Sequence, residues 1–416
     1  MRTAVVVGAG MAGLATAGAL SRAGWQVILL ERGERIAASP TALVLWSNGR
    51  RALESLDPDG GWSAIAAPLP DGGVRRPDGQ WLVAPRARNG TVLQPAPGPT
   101  DGAEHPNPSG SGPAPAVVHL QDLYDALVAG LGDRVEIRTG CAVSSVRIST
   151  RRRPVVAVGR TAIEADLVVA ADGIDSQVRR ALAPESVAVG SGFAAWQAVI
   201  PAYRVPHLSA EEAAGGETLG AGYRFVSIPL GERAAGRGGV YWVATAAGAP
   251  RPEPPATQLA LLRRWFADWH SPVAALIEAT HADDLVPQEV RELRPLPRAY
   301  GFRSGPGGVV LLGDAAHAMP HHLGQGACLA FEDAATLRSL AADAAPGEAL
   351  VAAIDEYSRL RRPRTTSVVR QTRRMSAVVQ ARGRLALRAR DAALNHMRPR
   401  ILGGNVLGSA DWMPPE

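Results

Sequence analysis

The sequence predicts an α/β fold: a Rossmann-like dinucleotide-binding domain with an inserted, mainly antiparallel β-sheet domain and a C-terminal helical region. Three observations carry this expectation. Gly8-Ala9-Gly10-Met11-Ala12-Gly13 follows an apolar run and opens a helical pattern. The apolar runs Leu167-Val168-Val169-Ala170 and Val309-Val310-Leu311-Leu312 lead into Asp172-Gly173 and Gly313-Asp314, so each places an acid and a glycine at the carboxyl end of a buried strand. Residues 190 to 300 change to a period of two. With 416 residues, 46% of them hydrophobic, the chain can bury a sizeable core in one large or two intermingled domains.

Composition narrows the function classes. The 44 basic and 39 acidic residues leave a formal charge of +5, and every basic residue is Arg. The pI near 9.7 would suit nucleic acid, but the Arg residues are dispersed, with only short runs such as Arg151-Arg152-Arg153. No nucleic-acid partner is expected. Cys141 and Cys328 have neither metal-ligand nor disulfide spacing, so no metal site is expected and the chain reads as cytoplasmic. The apolar stretch to Leu20 superficially resembles a signal peptide or membrane span, but its four glycines and the polar residues after it belong to a folded pattern.

In chain order, strand Thr3 to Val7 leads through the glycine triplet into helix Ala12 to Arg22, which Gly24 ends. Strand Gln26 to Leu30 then terminates at Glu31-Arg32. In a dinucleotide fold the first glycine allows the turn, the second lets a phosphate approach the backbone, and the third packs helix against strand. Glu31 is placed for ribose hydroxyls, so the ligand is NAD or FAD. Pro40 to Leu56, with Trp46-Ser47-Asn48-Gly49, predicts a loop and short helix. Pro85 to Pro115 is rich in Pro, Gly, Ser and Asn and predicts a long surface loop, either a lid or a solvated insertion. Helix Gln121 to Leu131 and strands near Val135–Arg138, Ala142–Ile148 and Val155–Val158 follow.

Asp172-Gly173 should turn into a helix capped by Asp175 or Ser176. The stretches Phe193–Ile200, Tyr223–Pro229 and Gly239–Ala244 predict antiparallel strands with an open face, a natural platform for substrate. After Gly313-Asp314, Gly324-Gln325-Gly326-Ala327 opens an Ala-rich helix whose unpaired N–H groups and positive dipole end favour an anion. Beyond Ala334 the chain is helical. Arg370 to Arg390 forms a solvated face or, alternatively, a membrane-surface stripe, and Trp412 to Pro415 a docked tail.

The three motifs in this order resemble the group A flavoprotein monooxygenases, the family of para-hydroxybenzoate hydroxylase, salicylate hydroxylase and zeaxanthin epoxidase. Trp46-Ser47-Asn48-Gly49, Trp196, Arg224 and Tyr241 resemble most the branch of FAD-dependent urate hydroxylase and zeaxanthin epoxidase. The resemblance spans essentially the whole chain and implies bound FAD, with NADPH or NADH as transient reductant. It implies that one atom of O2 enters a small aromatic or heteroaromatic substrate through a flavin C4a-hydroperoxide, in a monomer or homodimer; the Arg-only basic composition and the Pro-rich insertion suit natural-product tailoring or aromatic catabolism. The implied FAD contacts are Gly8, Gly10, Met11, Ala12, Gly13, Glu31, Arg32, Val44, Gln121, Asp172, Gly173, Gly313, Asp314, Pro320, Gly324, Gln325, Gly326 and Ala327. The implied domains are an FAD-binding domain from 1–70, 117–185 and 296–345, an excursion with the Pro/Gly-rich loop over 71–116, a substrate sheet over 186–295, and C-terminal helices over 346–416.

Trp196, Arg224, Tyr241, His321 and His322 are the implied substrate contacts, with Arg224, Tyr241 and His321 as catalytic candidates. A surface Arg and a core Tyr remain equally open. Two positions depart from the family. His321 stands where relatives keep a proline, with Pro320 one place early, and either deprotonates substrate near its ordinary pKa of about 6.5 or simply hydrogen-bonds the loop. Leu120 stands where relatives keep an Arg, with Gln121 as its compensation. A flavin-dependent halogenase is excluded, since its active-site Lys has no counterpart here. An epoxidase, an oxidoreductase without oxygen insertion and a flavin-binding protein without turnover stay open.

Overall fold

The structure is a computed structural model that describes residues 2–57, 60–70, 72–85, 113–231, 238–248, 253–396 and 412–415. Residues 86–112 of the expected Pro/Gly-rich loop lie outside the described residues.

A six-stranded sheet forms the centre of the nucleotide-binding domain. Its order is Gly301–Ser304, Gly307–Leu311, Leu167–Ala170, Thr3–Val7, Gln26–Leu30 and Val135–Arg138, all parallel except the first pair. The strands Leu167–Ala170 and Gly307–Leu311 are buried at every position, because helices and the three-stranded antiparallel sheet Val143–Arg147, Val155–Val158 and Thr161–Glu164, through Val146 and Val156, pack against this sheet. Their continuous Val and Leu runs are the sequence form of that burial. Helix Met11–Arg22 begins one residue before the expected Ala12 and packs on helix Gly326–Ala341.

The second sheet has seven strands in the order Val286–Arg294, Val187–Pro201, Gly239–Ala247, Tyr223–Pro229, Gly216–Leu219, Val74–Arg75 and Trp81–Val83. It is antiparallel throughout except where Gly216–Leu219 meets Val74–Arg75. One face carries Trp196, Trp242, Phe225 and Ala244 against Leu259, Leu262 and Phe266 from the helix Pro255–Trp265 and Leu276 from Val273–Glu278. Phe225 and Trp242 stack at 5.5 Å. The other face turns Tyr241 and Val199 toward Ala42 and Val117 of a small sheet on the nucleotide-binding domain.

The C-terminal region is dominated by the 32-residue helix Glu348–Val379, which runs through Pro363. Proline removes one backbone hydrogen bond and crowds the preceding turn. Here Arg361 and Arg364, on either side of it, anchor the helix to Glu332 and Asp333. The expected tail docks: Arg51 Nη1 donates to the carbonyl of Trp412 at 3.0 Å and Ser339 Oγ to that of Pro415 at 3.1 Å. Among the described residues, no helix is long and apolar enough to cross a membrane.

Candidate active site

The three motifs meet at one end of the parallel sheet. Gly8 has φ +98°, and a Cβ there would lie 2.5 Å from the carbonyl oxygen of Ala171. A Cβ on Gly13 would lie 1.9 Å from the carbonyl oxygen of Gly8. Gly10 differs: the nearest atom to its Cβ position is Tyr124 Oη at 3.9 Å. Two glycines therefore permit packing, and the middle one leaves the backbone open to a ligand. Gly173 and Gly326 face equally open space.

Glu31 closes this loop from below. Its carboxylate accepts from the N–H of Ala9 and of Gly33, both at 2.8 Å, while Arg32 is exposed beside it. Asp172 caps the helix Gln177–Leu182, accepting from the N–H of Gln177 at 2.8 Å, and Ser176 accepts from Arg179 N–H at 2.8 Å. The expected cap by Ser176 or Asp175 is thus made by Ser176 together with Asp172. Burial raises the Asp172 carboxyl above its ordinary value. Buried Arg179 donates to the carbonyl of Ala315 at 3.3 Å, tying this turn to the third motif.

Gly313 has φ +58° and its Cβ position lies 3.0 Å from Ala12 Cβ, so the third motif touches the start of the first helix. Asp314 is solvent-accessible, yet the protein around it raises its carboxyl. Tyr124 lies beside it, its hydroxyl bonded to Met11 backbone and raised chiefly by burial, with Glu31 and Asp314 adding to the shift. Tyr124 was not singled out from the sequence; a Tyr one helical turn after Leu120 was its only trace.

A buried ionic cluster holds this loop in place. Asp333 Oδ2 accepts from Gly313 N–H at 2.9 Å and lies 2.6 Å from His317 Nε2, while Oδ1 accepts from Arg361 Nε at 2.7 Å. Glu332 accepts from Arg361, Arg364 and Asn48 at 2.7 to 3.1 Å. Burial alone would raise the Asp333 carboxyl, but His317 and Arg361 outweigh it and hold the group below its ordinary range. Asn48 also donates to Gln325 at 3.0 Å, the residue that precedes helix Gly326–Ala341. The first turn of that helix presents N–H groups without intrahelical partners toward the open space at Gly326. Val44 lends its carbonyl to the Cys328 thiol, and burial pushes that thiol up to about 12, leaving it inert. Gln121 differs from expectation in what its amide does: it accepts from Ala38 N–H and donates to Asp125, bracing a loop and its own helix.

The second sheet supplies the other wall. Cross-strand partners share a face. Arg224 pairs with Thr245 and Tyr241 with Val199, which puts both side chains on the face toward the nucleotide-binding domain. Trp196 pairs with Ala244 on the opposite face, with its indole N–H donating to Gln258 at 2.5 Å and its ring edge-on to Trp265. The expected substrate contact by Trp196 is therefore corrected: strand parity places it in the core behind the sheet.

The segment Pro320 to Gly324 approaches the Arg224 face. His321 to Leu323 forms a single 3-10 turn, closed by Gly324 at φ +61°. The His322 ring lies 4.3 Å from Phe193, and its Nδ1 is 2.9 Å from Ser376 Oγ on the long helix. His321 stands edge-on to Phe193 at 5.5 Å, and its Nε2 is buried without a partner among the described residues. Burial, then Arg224, pushes His321 down to about 3 and lowers His322 well below its ordinary value. Of the two roles open to His321, this burial opposes taking up a proton and is compatible with accepting a hydrogen bond. Tyr241 donates to Gln197 at 2.5 Å, and burial keeps its hydroxyl protonated. Phe193, the ring that both histidines pack on, was hidden in the alternating run.

A loop with one open glycine, an accessible acid at a strand end and a helix start with open space before it fit a dinucleotide whose second ring system takes up negative charge. Residues 1–372 match the family described as FAD binding domain. The chain is 32% identical over 376 residues to 3-amino-4-hydroxybenzoate 2-monooxygenase of Streptomyces cremeus, covering 89% of this chain and 86% of that protein. The chain belongs to the FAD-binding-domain family of aromatic monooxygenases. It is also 32% identical over 356 residues to 2-heptyl-3-hydroxy-4(1H)-quinolone synthase of Pseudomonas aeruginosa, covering 84% and 83% of the two chains. Among solved structures, Klebsiella pneumoniae HpxO complexed with FAD and uric acid superposes with a TM-score of 0.75 at 23% identity, covering 97% of this chain and 95% of that one. The monooxygenase fold and its FAD cofactor are those expected from the sequence.

Proposed function

We propose that this FAD-dependent monooxygenase oxygenates a small heteroaromatic substrate held between the Arg224–Tyr241 face of the sheet and the Pro320–Gly324 turn, with NAD(P)H as reductant. The observation that carries this is the convergence of Arg224, Tyr241 and the partnerless His321 Nε2 on one side of the sheet. Residues Gly8 to Gly13, Glu31, Asp172-Gly173, Gly313-Asp314 and Gln325 to Ala327 would hold FAD, which supplies the redox and oxygen-transfer chemistry when bound.

The chain's own contribution is binding, orientation and exclusion of water. Arg224 spends Nε on Glu217 at 2.6 Å and keeps its terminal nitrogens for a ring carbonyl. His321, neutral, accepts from a ring N–H or phenol, which polarises the ring toward electrophilic attack without storing a proton. Tyr241 gives its proton to Gln197 and keeps an oxygen lone pair as an acceptor toward the substrate. Phe193 and buried Pro320 form apolar surroundings that keep water from the reacting ring. The aminohydroxybenzoate and quinolone for which two relatives are named, and the uric acid bound by HpxO, are all rings rich in oxygen or nitrogen.

Arg224→Ala is expected to raise KM by about tenfold or more, the loss of a charged donor, and to uncouple NAD(P)H consumption from product. Steady-state kinetics with product analysis checks it. Unchanged KM and unchanged coupling together would remove Arg224 from the site.

A further inference from the structure

The geometry points to Glu217 as a specificity-determining residue that cancels the charge of Arg224 and so selects neutral ring systems over aromatic carboxylates. This rests on the pocket proposed above. Glu217 lies on Gly216–Leu219, the strand next to Arg224, where Leu219 pairs with Arg224 and Glu217 with Val226. The two charged residues are diagonal neighbours on the same face, within reach of one another. Glu217 Oε1 accepts from Arg224 Nε at 2.6 Å, with side-chain exposures of 24% and 12%.

The position of Glu217 is fixed by its strand. A Cβ on Gly215 would lie 2.3 Å from the carbonyl oxygen of Ser227, and one on Gly216 2.7 Å from that of Gly72, so the backbone leading into this strand is packed closely between its neighbours. Arg224 is the cation whose field reaches Tyr241, His321 and His322. The two rings add no compensating positive charge, since each is neutral. A carboxylate entering beside Arg224 would therefore meet a cation already matched by Glu217, and would be desolvated without net attraction. A neutral carbonyl meets the remaining guanidinium N–H donors and suffers no such penalty. Rejection through an unpaired charge is a known route to specificity.

The test uses the FAD-loaded enzyme and two matched pairs: 4(1H)-quinolone with its 2-carboxylate, and phenol with 4-hydroxybenzoate. Binding is read from the change in flavin absorbance, and turnover from NAD(P)H consumption. The neutral member of at least one pair should be preferred by roughly tenfold or more. Glu217→Gln should shift that preference toward the carboxylate by roughly tenfold, and Glu217→Asp, which keeps the charge, should restore it. A merely structural role would lower both members alike. Preference of the wild type for carboxylates, or an unchanged ratio in a Glu217→Gln enzyme that still binds FAD, overturns the inference and leaves the pocket intact. If neither pair perturbs the flavin or the reductant, and Arg224→Ala is equally silent, the pocket itself is wrong and the inference falls with it.

Discussion

On the nucleotide side of the cleft, every carboxylate oxygen of Glu332 and Asp333 has a partner: Asn48, Arg361 and Arg364 for one, Gly313, His317 and Arg361 for the other. On the substrate side, His321 Nε2 and His322 Nε2 have none among the described residues, and Arg224 holds a single carboxylate. The two acids of the first cluster are satisfied by the protein alone, while Asn48 Oδ1, His317 Nδ1 and Gln325 Nε2 beside them are buried without a partner among the described residues. The second is left for the substrate to complete, and its open groups carry the chemical discrimination.

The largest test of this contrast is removal of one buried charge. Arg361→Met should cost about 3–5 kcal/mol by denaturant unfolding, because Glu332 and Asp333 lose their shared cation. Arg224→Met should cost markedly less, as its pair is partly solvated. Equal losses would break the comparison. A sharper test uses two glycines. Gly13→Ala should destabilise by about 1–3 kcal/mol through overpacking, whereas Gly10→Ala should change apoprotein stability by only about 0.5 kcal/mol. Titration with FAD should nonetheless show weaker binding for Gly10→Ala, since its methyl enters the space left for the ligand.

The comparison also predicts a pH dependence carried by the two histidines of the substrate side. The unfolded chain protonates His321 and His322 near 6.5, while the native state resists this, His321 down to about 3. Their contribution is fully present above about 6.5 and is lost as pH falls toward 3, by on the order of 1 kcal/mol per unit and ring. Unfolding midpoints between pH 7 and 5 should therefore fall in the wild type and fall less in His321→Gln. Identical slopes would place the titration elsewhere.

Much of the nucleotide side was legible because its signals are local. Gly8, Gly10 and Gly13 lie within one turn, and buried parallel strands announce themselves as unbroken apolar runs. The cluster that positions them was not, since its members come from far apart: Asn48 and Glu332 are separated by 284 positions. A chain pattern shows that Arg361 and Arg364 are helical, not that they face two acids. The substrate sheet shows the other limit. Alternation orders side chains within one strand only; Trp196 and Tyr241 lie on different strands, and it takes the pairing of Trp196 with Ala244 and of Val199 with Tyr241 to show that they face opposite ways. Glu217 escaped for the same reason: its meaning depends on the strand beside it.

The helix Glu348–Val379 carries Arg361, Thr365, Val368, Thr372 and Ser376 along one buried stripe. Arg361 grips the acids behind Gly313, and Ser376 touches His322. Fifteen residues separate them, a rise of about 22 Å. That rod acts as a ruler between the two halves of the reaction: a single inserted residue would swing Ser376 by about 100° and leave the histidine turn at the wrong height above the ring it must face.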